Sequence, residues 1–235
     1  MNKVGLALLS ITFLLVLAPL AQSSAVAQPK ALLVQNNPPW CDSTADQTAL
    51  THDGVSYSVV TSSQFLGMNV AQLLKYHEII FAGNQYDSFY NALSTPVVRN
   101  EMMILLSAGV NVVIHAIDEG GCEDGYWPGS YVFPYPANVQ HVFDYDSTNH
   151  VVGSSPVLAG VTSPITGNYA SHDYFTNLPT GANVLIENSA DKPTYFTWKF
   201  GLGTLYASTM TLEFYYGGAS PYTTLLNNEL LLASA

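Results

Sequence analysis

Short apolar runs alternate with amphipathic stretches through the first half of the chain. "KALLVQN" (Lys30–Asn36) is a compact apolar run that reads as a first strand, and the prolines of "NNPPWC" end it because proline cannot continue a central strand. Asp42–His52 has room for a short helix, and "GVSYSVVT" (Gly54–Thr61) alternates as a second strand. Ser63–Tyr76 carries Phe65, Met68, Val70, Leu73 and Leu74 at spacings that suit a short helix or helical turn. "HEIIFAGN" (His77–Asn84) is apolar on both faces, as expected of a strand buried within a parallel sheet. After a loop, "STPVVRNEMMILLSAG" predicts a helix with Thr95 as N-cap and Pro96 in its first turn. Its apolar stripe is Val98, Met102, Leu105 and Leu106, and Gly109 ends it. "VNVVIHA" (Val110–Ala116) is the next buried strand.

This alternation of strand and helix predicts an α/β fold with a parallel sheet. The second half has a different texture. Residues 120–182 are rich in Gly, Pro, Tyr, Asn and Ser, with only short apolar pieces. "NVLIE", "TYFTWKF" and "TLYASTM" then read as three late strands, at least two of them a hairpin around "GLG". "SPYTTLLNNELLLA" closes the chain as a helix with Ser220 as cap and Pro221 at its first position.

The first residues do not fit this pattern. One Lys, an apolar run from Val4 to Leu20, and Ala25-Val26-Ala27 have the layout of a secretory signal peptide ending before Gln28. The alternative is a retained anchor, although the run is short for a spanning helix. The expected organisation is therefore a signal peptide, 1–27, and a single domain, 28–235, in a secreted, periplasmic or cell-surface protein. The formal charge is −11 for 235 residues, and beyond Lys3 only Lys30, Lys75, Arg99, Lys192 and Lys199 are basic. No basic patch is available, so neither nucleic acid nor, after signal cleavage, a membrane is an expected partner. Hydrophobic residues make up 48% of the chain, too many for a disordered one.

The order of "YSVV", "LLKYHEIIFAGN", "LLSAGVNVVIHA" and "PVLAGV…LPTGANVLIENSADKPTYFTWKFGLGTLYASTMTLEF" resembles the class I glutamine amidotransferase-like superfamily. It looks closest to that superfamily's secreted branches lacking the amidotransferase triad, the trehalose-utilisation-type domains among them. The resemblance implies a flavodoxin-like three-layer sandwich with a mostly parallel central sheet and a late antiparallel hairpin. In the superfamily a Cys nucleophile stands at the turn after the strand that here reads "VNVVIHA", paired with a His-x-Glu after a late strand. Here the turn falls at His115-Ala116, the His position is Thr211, and only Glu213 matches. Without a thiol and a base the glutaminase chemistry has no route.

The stretch "HAIDEGGCEDG" (residues 115–125) holds the densest candidate chemistry. Cys122 is one of only two cysteines, and its acidic neighbours oppose a thiolate. Pairing with Cys41 is the expectation, since an exported chain with two cysteines most simply forms one disulfide. Both lie beyond the carboxyl ends of their strands, where loops can meet. Asp118, Glu119, Glu123 and Asp124 could hold Ca²⁺, but the spacing matches no EF-hand and a solvated acidic loop is the simpler reading, so neither metal nor cofactor is expected. Ligands in open α/β sheets bind at the strands' carboxyl edge. Trp40, Tyr86, His115, Asp118, Glu119, Tyr126 and Trp127 belong to that edge and are the candidate ligand-binding residues, for a small polar or carbohydrate ligand; the alternative is that the aromatics only cover the rim. His172, Asp173 and Glu213 are the candidate catalytic residues, and no Gly-x-Ser-x-Gly elbow accompanies them. The leading expectation is an exported, non-catalytic ligand-binding or interaction domain, a pseudoenzyme of this fold. The alternatives are a secreted hydrolase of sugar-derived or other small polar substrates, and a surface or assembly subunit.

Overall fold

A computed structural model of the protein describes residues 30–117, 139–218 and 220–235. The chain runs β1 (Lys30–Val34), a 3₁₀ turn at Pro39–Cys41, α1 (Ala45–His52), β2 (Ser56–Val60), α2 (Ser62–Leu66), α3 (Val70–Leu73) and β3 (Glu78–Phe81). It continues through α4 (Asp87–Leu93), α5 (Pro96–Ala108), β4 (Asn111–His115), β5 (Gln140–Val151), β6 (Ile165–Thr176), β7 (Asn183–Asn188), β8 (Pro193–Phe200) and β9 (Gly203–Ser208). It ends with α6 (Leu212–Tyr215) and α7 (Ser220–Ser234). The nine strands of the described residues join one sheet in the order β2-β1-β3-β4-β9-β8-β7-β5-β6.

The strands from β2 to β9 in that order are mutually parallel. Alternation along them sends side chains to two separate cores. Leu32, Val34, Ile79, Phe81, Val112 and Ile114 pack against Phe65, Leu73, Phe89 and the Val98–Met102–Leu105–Leu106 stripe of α5. Ala31, Leu33, Ile80 and Val113 pack on the opposite face against Ala49 and Leu50 of α1 and Leu225, Leu226 and Leu230 of α7. The sheet is therefore covered on both faces, which is why β1, β3 and β4 carry no alternating polar face. The hairpin turn between β8 and β9 requires Gly201: its φ is 62°, and a Cβ there would stand 2.5 Å from Ser107 Cα in α5.

Four expectations change. The sheet is not mostly parallel: its four parallel pairings are matched by four antiparallel ones, β9-β8, β8-β7, β7-β5 and β5-β6. β5 and β6 are twelve-residue strands within the stretch whose composition suggested loops. Their sequences, "QHVFDYDSTNHV" and "ITGNYASHDYFT", are polar and aromatic, and their pairing is broken by register shifts. Antiparallel ladders tolerate that composition because one face can meet water. The helix expected over Ser63–Tyr76 is two, α2 and α3, each begun by a reciprocal capping box: Thr61 with Gln64, and Asn69 with Gln72. Asn69 restarts what Gly67 ends. Finally, the loop before α5 contains α4.

Candidate functional site

Trp40 follows β1 at the carboxyl edge of the parallel strands, held in an unusual backbone. Trp40 and Cys41 have φ of 53° and 82°, two consecutive non-glycine residues in the left-handed region. Such strain persists only where neighbours over-determine it. Here Asn84, itself at φ 46°, accepts the Trp40 backbone N–H at 3.0 Å. The buried Gln85 side chain accepts the Asn36 N–H at 2.8 Å and donates to Asn37 O and Gly83 O, tying the loop after β1 to the loop after β3.

This loop forms one wall of an aromatic cleft of about 460 Å³ lined by Trp40, Tyr145, Asn168, Tyr169, His172, Thr211, Phe214 and Tyr215. His172 is its hub. The imidazole meets Trp40, Tyr145 and Tyr169 edge-to-face at 5.4, 4.6 and 5.7 Å between ring centres. Phe214 packs on Trp40 at 5.3 Å yet is 57% exposed, and Tyr169 is 51% exposed. The Trp40 indole N–H has no acceptor among the described residues. Thr211 donates from its hydroxyl to Tyr169 O at 2.8 Å, and the Tyr215 hydroxyl accepts the Asn168 N–H at 2.8 Å, fixing α6 against β6. Gly167 allows this approach: a Cβ would stand 2.7 Å from the Tyr215 ring.

α6 has a second, inward side. Phe214 faces the cleft, whereas its neighbour Glu213 is buried against the last residue of β4, His115. His115 Nδ1 lies 2.9 Å from Glu213 Oε1 and 3.7 Å from Asp46 Oδ1, and its Nε2 lies 2.9 Å from Glu229 Oε2 of α7. All four side chains are buried. The Gly83 N–H donates to Glu213 Oε1 at 2.8 Å.

These contacts set the electrostatics. Burial alone would lower the His115 pKa, but Glu213 and Glu229 outweigh it and hold it well above the usual range. Burial alone would raise Glu213; the His115 charge and its hydrogen bond reverse that and hold it below the carboxylate range. Asp46, desolvated and beside Glu213, is pushed up to about 7. Glu78, buried at the start of β3, is raised well above its ordinary value by desolvation and then by Glu229 and Asp46.

Of the residues singled out in the sequence, Trp40 and His172 line the cleft. His115 and Glu213 meet each other beneath it, buried rather than open to a ligand. Tyr86 is the N-cap of α4 and does not line the cleft. Asp173 is buried in β6 with its backbone carbonyl accepting the Thr209 hydroxyl at 2.6 Å. Asp118, Glu119, Cys122, Glu123, Asp124, Tyr126 and Trp127 lie outside the described residues. Sequence reading missed Tyr145, Tyr169, Phe214 and Tyr215, although "VFDYD", "NYASHDYF" and "EFYYG" signalled them by aromatic density. It also missed Asp46, Glu78 and Glu229; the last two are single carboxylates inside the apolar runs "HEIIFAG" and "NNELLLA".

No protein-family model matches the chain. An uncharacterized protein of Clostridium acetobutylicum is 29% identical over 203 residues, 86% of this chain, and the chain spans only 20% of that protein's length. Among solved structures, a putative GMP synthase protein of Thermoplasma acidophilum superposes with a TM-score of 0.57 at 13% identity, over 88% of this chain and 94% of its own. A glutamine amidotransferase of Thermotoga maritima gives 0.54 at 11%, over 88% and 96%. A cold-adapted β-galactosidase of Rahnella gives 0.53 at 14%, over 88% of this chain but 31% of its own. At these identities the likeness concerns the fold: the chain has the α/β fold of glutamine amidotransferase-like proteins, with an extended antiparallel half.

Proposed function

We propose that this protein is an exported ligand-binding domain without amidotransferase activity, and that its aromatic cleft takes a carbohydrate or a similarly polar ring. The observation that carries the reading is the cleft itself: exposed aromatic faces of Phe214 and Tyr169 beside Asn168, Thr211 and His172. Sugar rings present C–H faces and hydroxyls together, and apolar walls with a few placed polar groups suit both. The loss of amidotransferase chemistry is supported by His115 and Ala116 at the end of β4, where the relatives' nucleophile would stand; both are buried. The strand order β2-β1-β3-β4-β9 supports a flavodoxin-like core. Export agrees with the absence of a free thiol among the described residues, and we assign Cys41 to a disulfide with Cys122.

His172 within the cleft keeps a hydrolase as the second reading. Incubating the full chain with a panel of neutral oligosaccharides separates the two. A binding domain retains sugar and releases no product, and His172→Ala, which removes the hub of the cleft, retains less of it and still releases none. Product that vanishes in His172→Ala would replace binding with hydrolysis, and neither retention nor product would refute both.

A further inference from the structure

We propose that Asp46, His115 and Glu213 form a site for a divalent transition-metal ion of the kind zinc exemplifies, in the buried layer between the sheet and α1. The first ground is charge. Asp46, Glu213 and Glu229 converge on one imidazole, and every ion pair within the cluster is made by His115. The second is orphaned oxygen. Neither oxygen of Asp46 has a hydrogen-bond partner among the described residues, nor has Glu213 Oε2, although all are buried. Buried carboxylate oxygens without donors are expensive, and native structures retain few of them. A cation supplies what no donor among the described residues does.

The third ground is geometry. A ligand atom from each of the three residues lies within 4.8 Å of the others. His115 Nδ1 is 2.9 Å from Glu213 Oε1 and 3.7 Å from Asp46 Oδ1. These separations bracket the roughly 3.3 Å between neighbouring ligands of a tetrahedral ion bound at about 2.0 Å. With Nε2–H donating to Glu229 Oε2, the Nδ1 lone pair faces the two carboxylates, the tautomer a metal needs. Glu229 and the Gly83 N–H then act as outer partners that orient the imidazole and Glu213. One nitrogen with two carboxylate oxygens favours zinc-like ions over Ca²⁺ or Mg²⁺, which prefer all-oxygen shells. Glu213 immediately precedes Phe214, so an ion here would also brace a wall of the aromatic cleft.

The test is refolding of the full chain with Zn²⁺, with Co²⁺ or with chelator, followed by desalting, metal analysis, visible spectroscopy and thermal unfolding. One ion per chain is expected, with the strong d–d bands of tetrahedral Co²⁺. At a thousandfold excess over Kd, Tm should rise by roughly 8–16 °C. Asp46→Asn, nearly isosteric, should fold and lose retained ion and Tm response. His52→Ala, which removes the exposed His52–Asp53 pair, should keep both. Absence of retained ion after refolding with either metal overturns the proposal, as does equal retention by Asp46→Asn. In those cases the cluster is an imidazolium between two glutamates with protons on the remaining carboxyls.

Discussion

Glu78 and His115 show how strongly single buried groups act here. Glu78 is fully buried with no hydrogen-bond partner among the described residues for either oxygen, so the folded protein prefers it protonated. Its folded pKa is raised above the ordinary 4.5, so the folded state binds the proton more tightly than the unfolded one. Stability from this group is therefore full below the ordinary value and lost as pH rises towards the raised one, at about 1.4 kcal/mol per pH unit between them. Glu78→Gln should unfold at higher temperature than the parent at pH 8 and lose that advantage near pH 4, measured by thermal melts across pH. An unchanged difference at both pH values would contradict it. His115 is the opposite case: in the metal-free protein two glutamates depend on its charge. His115→Ala should cost about 3–5 kcal/mol in denaturant unfolding, because it leaves buried carboxylates uncompensated. These side chains were partly legible beforehand. Glu213 and His115 stood out at strand ends, whereas the partner that joins them from α7, Glu229, is more than a hundred residues from His115 in sequence and became visible only once the helix lay on the sheet.

At the level of elements, what could be read locally was read well. The α5 helix begins and ends where its signals stand: Thr95 accepts the Val98 N–H at 3.3 Å, and Gly109 closes it at φ 102°. Thr95→Ala should lower stability by about 1 kcal/mol, observable as a lower denaturant midpoint. The antiparallel strands β5 and β6 escaped because their sequences lack a sustained apolar alternation; their partners, not their own composition, make them strands. The cleft depends on this element, since Gly167 in β6 lets Tyr215 approach. In Gly167→Ala the added Cβ must displace the Tyr215 ring or the strand, which should cost about 1–3 kcal/mol and weaken ligand retention. A variant as stable as the parent with an unaltered cleft would show that α6 is not fixed by this contact.

As a whole, the molecule joins a parallel α/β half to an antiparallel half, with the cleft between them. Trp40, Thr211 and Phe214 come from loops and a short helix at the parallel strands' carboxyl edge, and Tyr145, Tyr169 and His172 from β5 and β6. The strand-helix alternation makes the parallel half legible in the sequence, and the position of Trp40 after β1 places it at the carboxyl edge. The cleft itself was not legible because its far wall is built from residues distant from Trp40 in sequence. Isothermal titration of the full chain with a panel of neutral oligosaccharides reads whether this junction binds a polar ring. Saturable binding by at least one of them is expected. Trp40→Ala and Tyr145→Ala should each weaken it about tenfold or more, a loss of about 1.4 kcal/mol, without altering the melting temperature by more than a few degrees. Titrations without heat across the panel, or equal affinity in both variants, would contradict it.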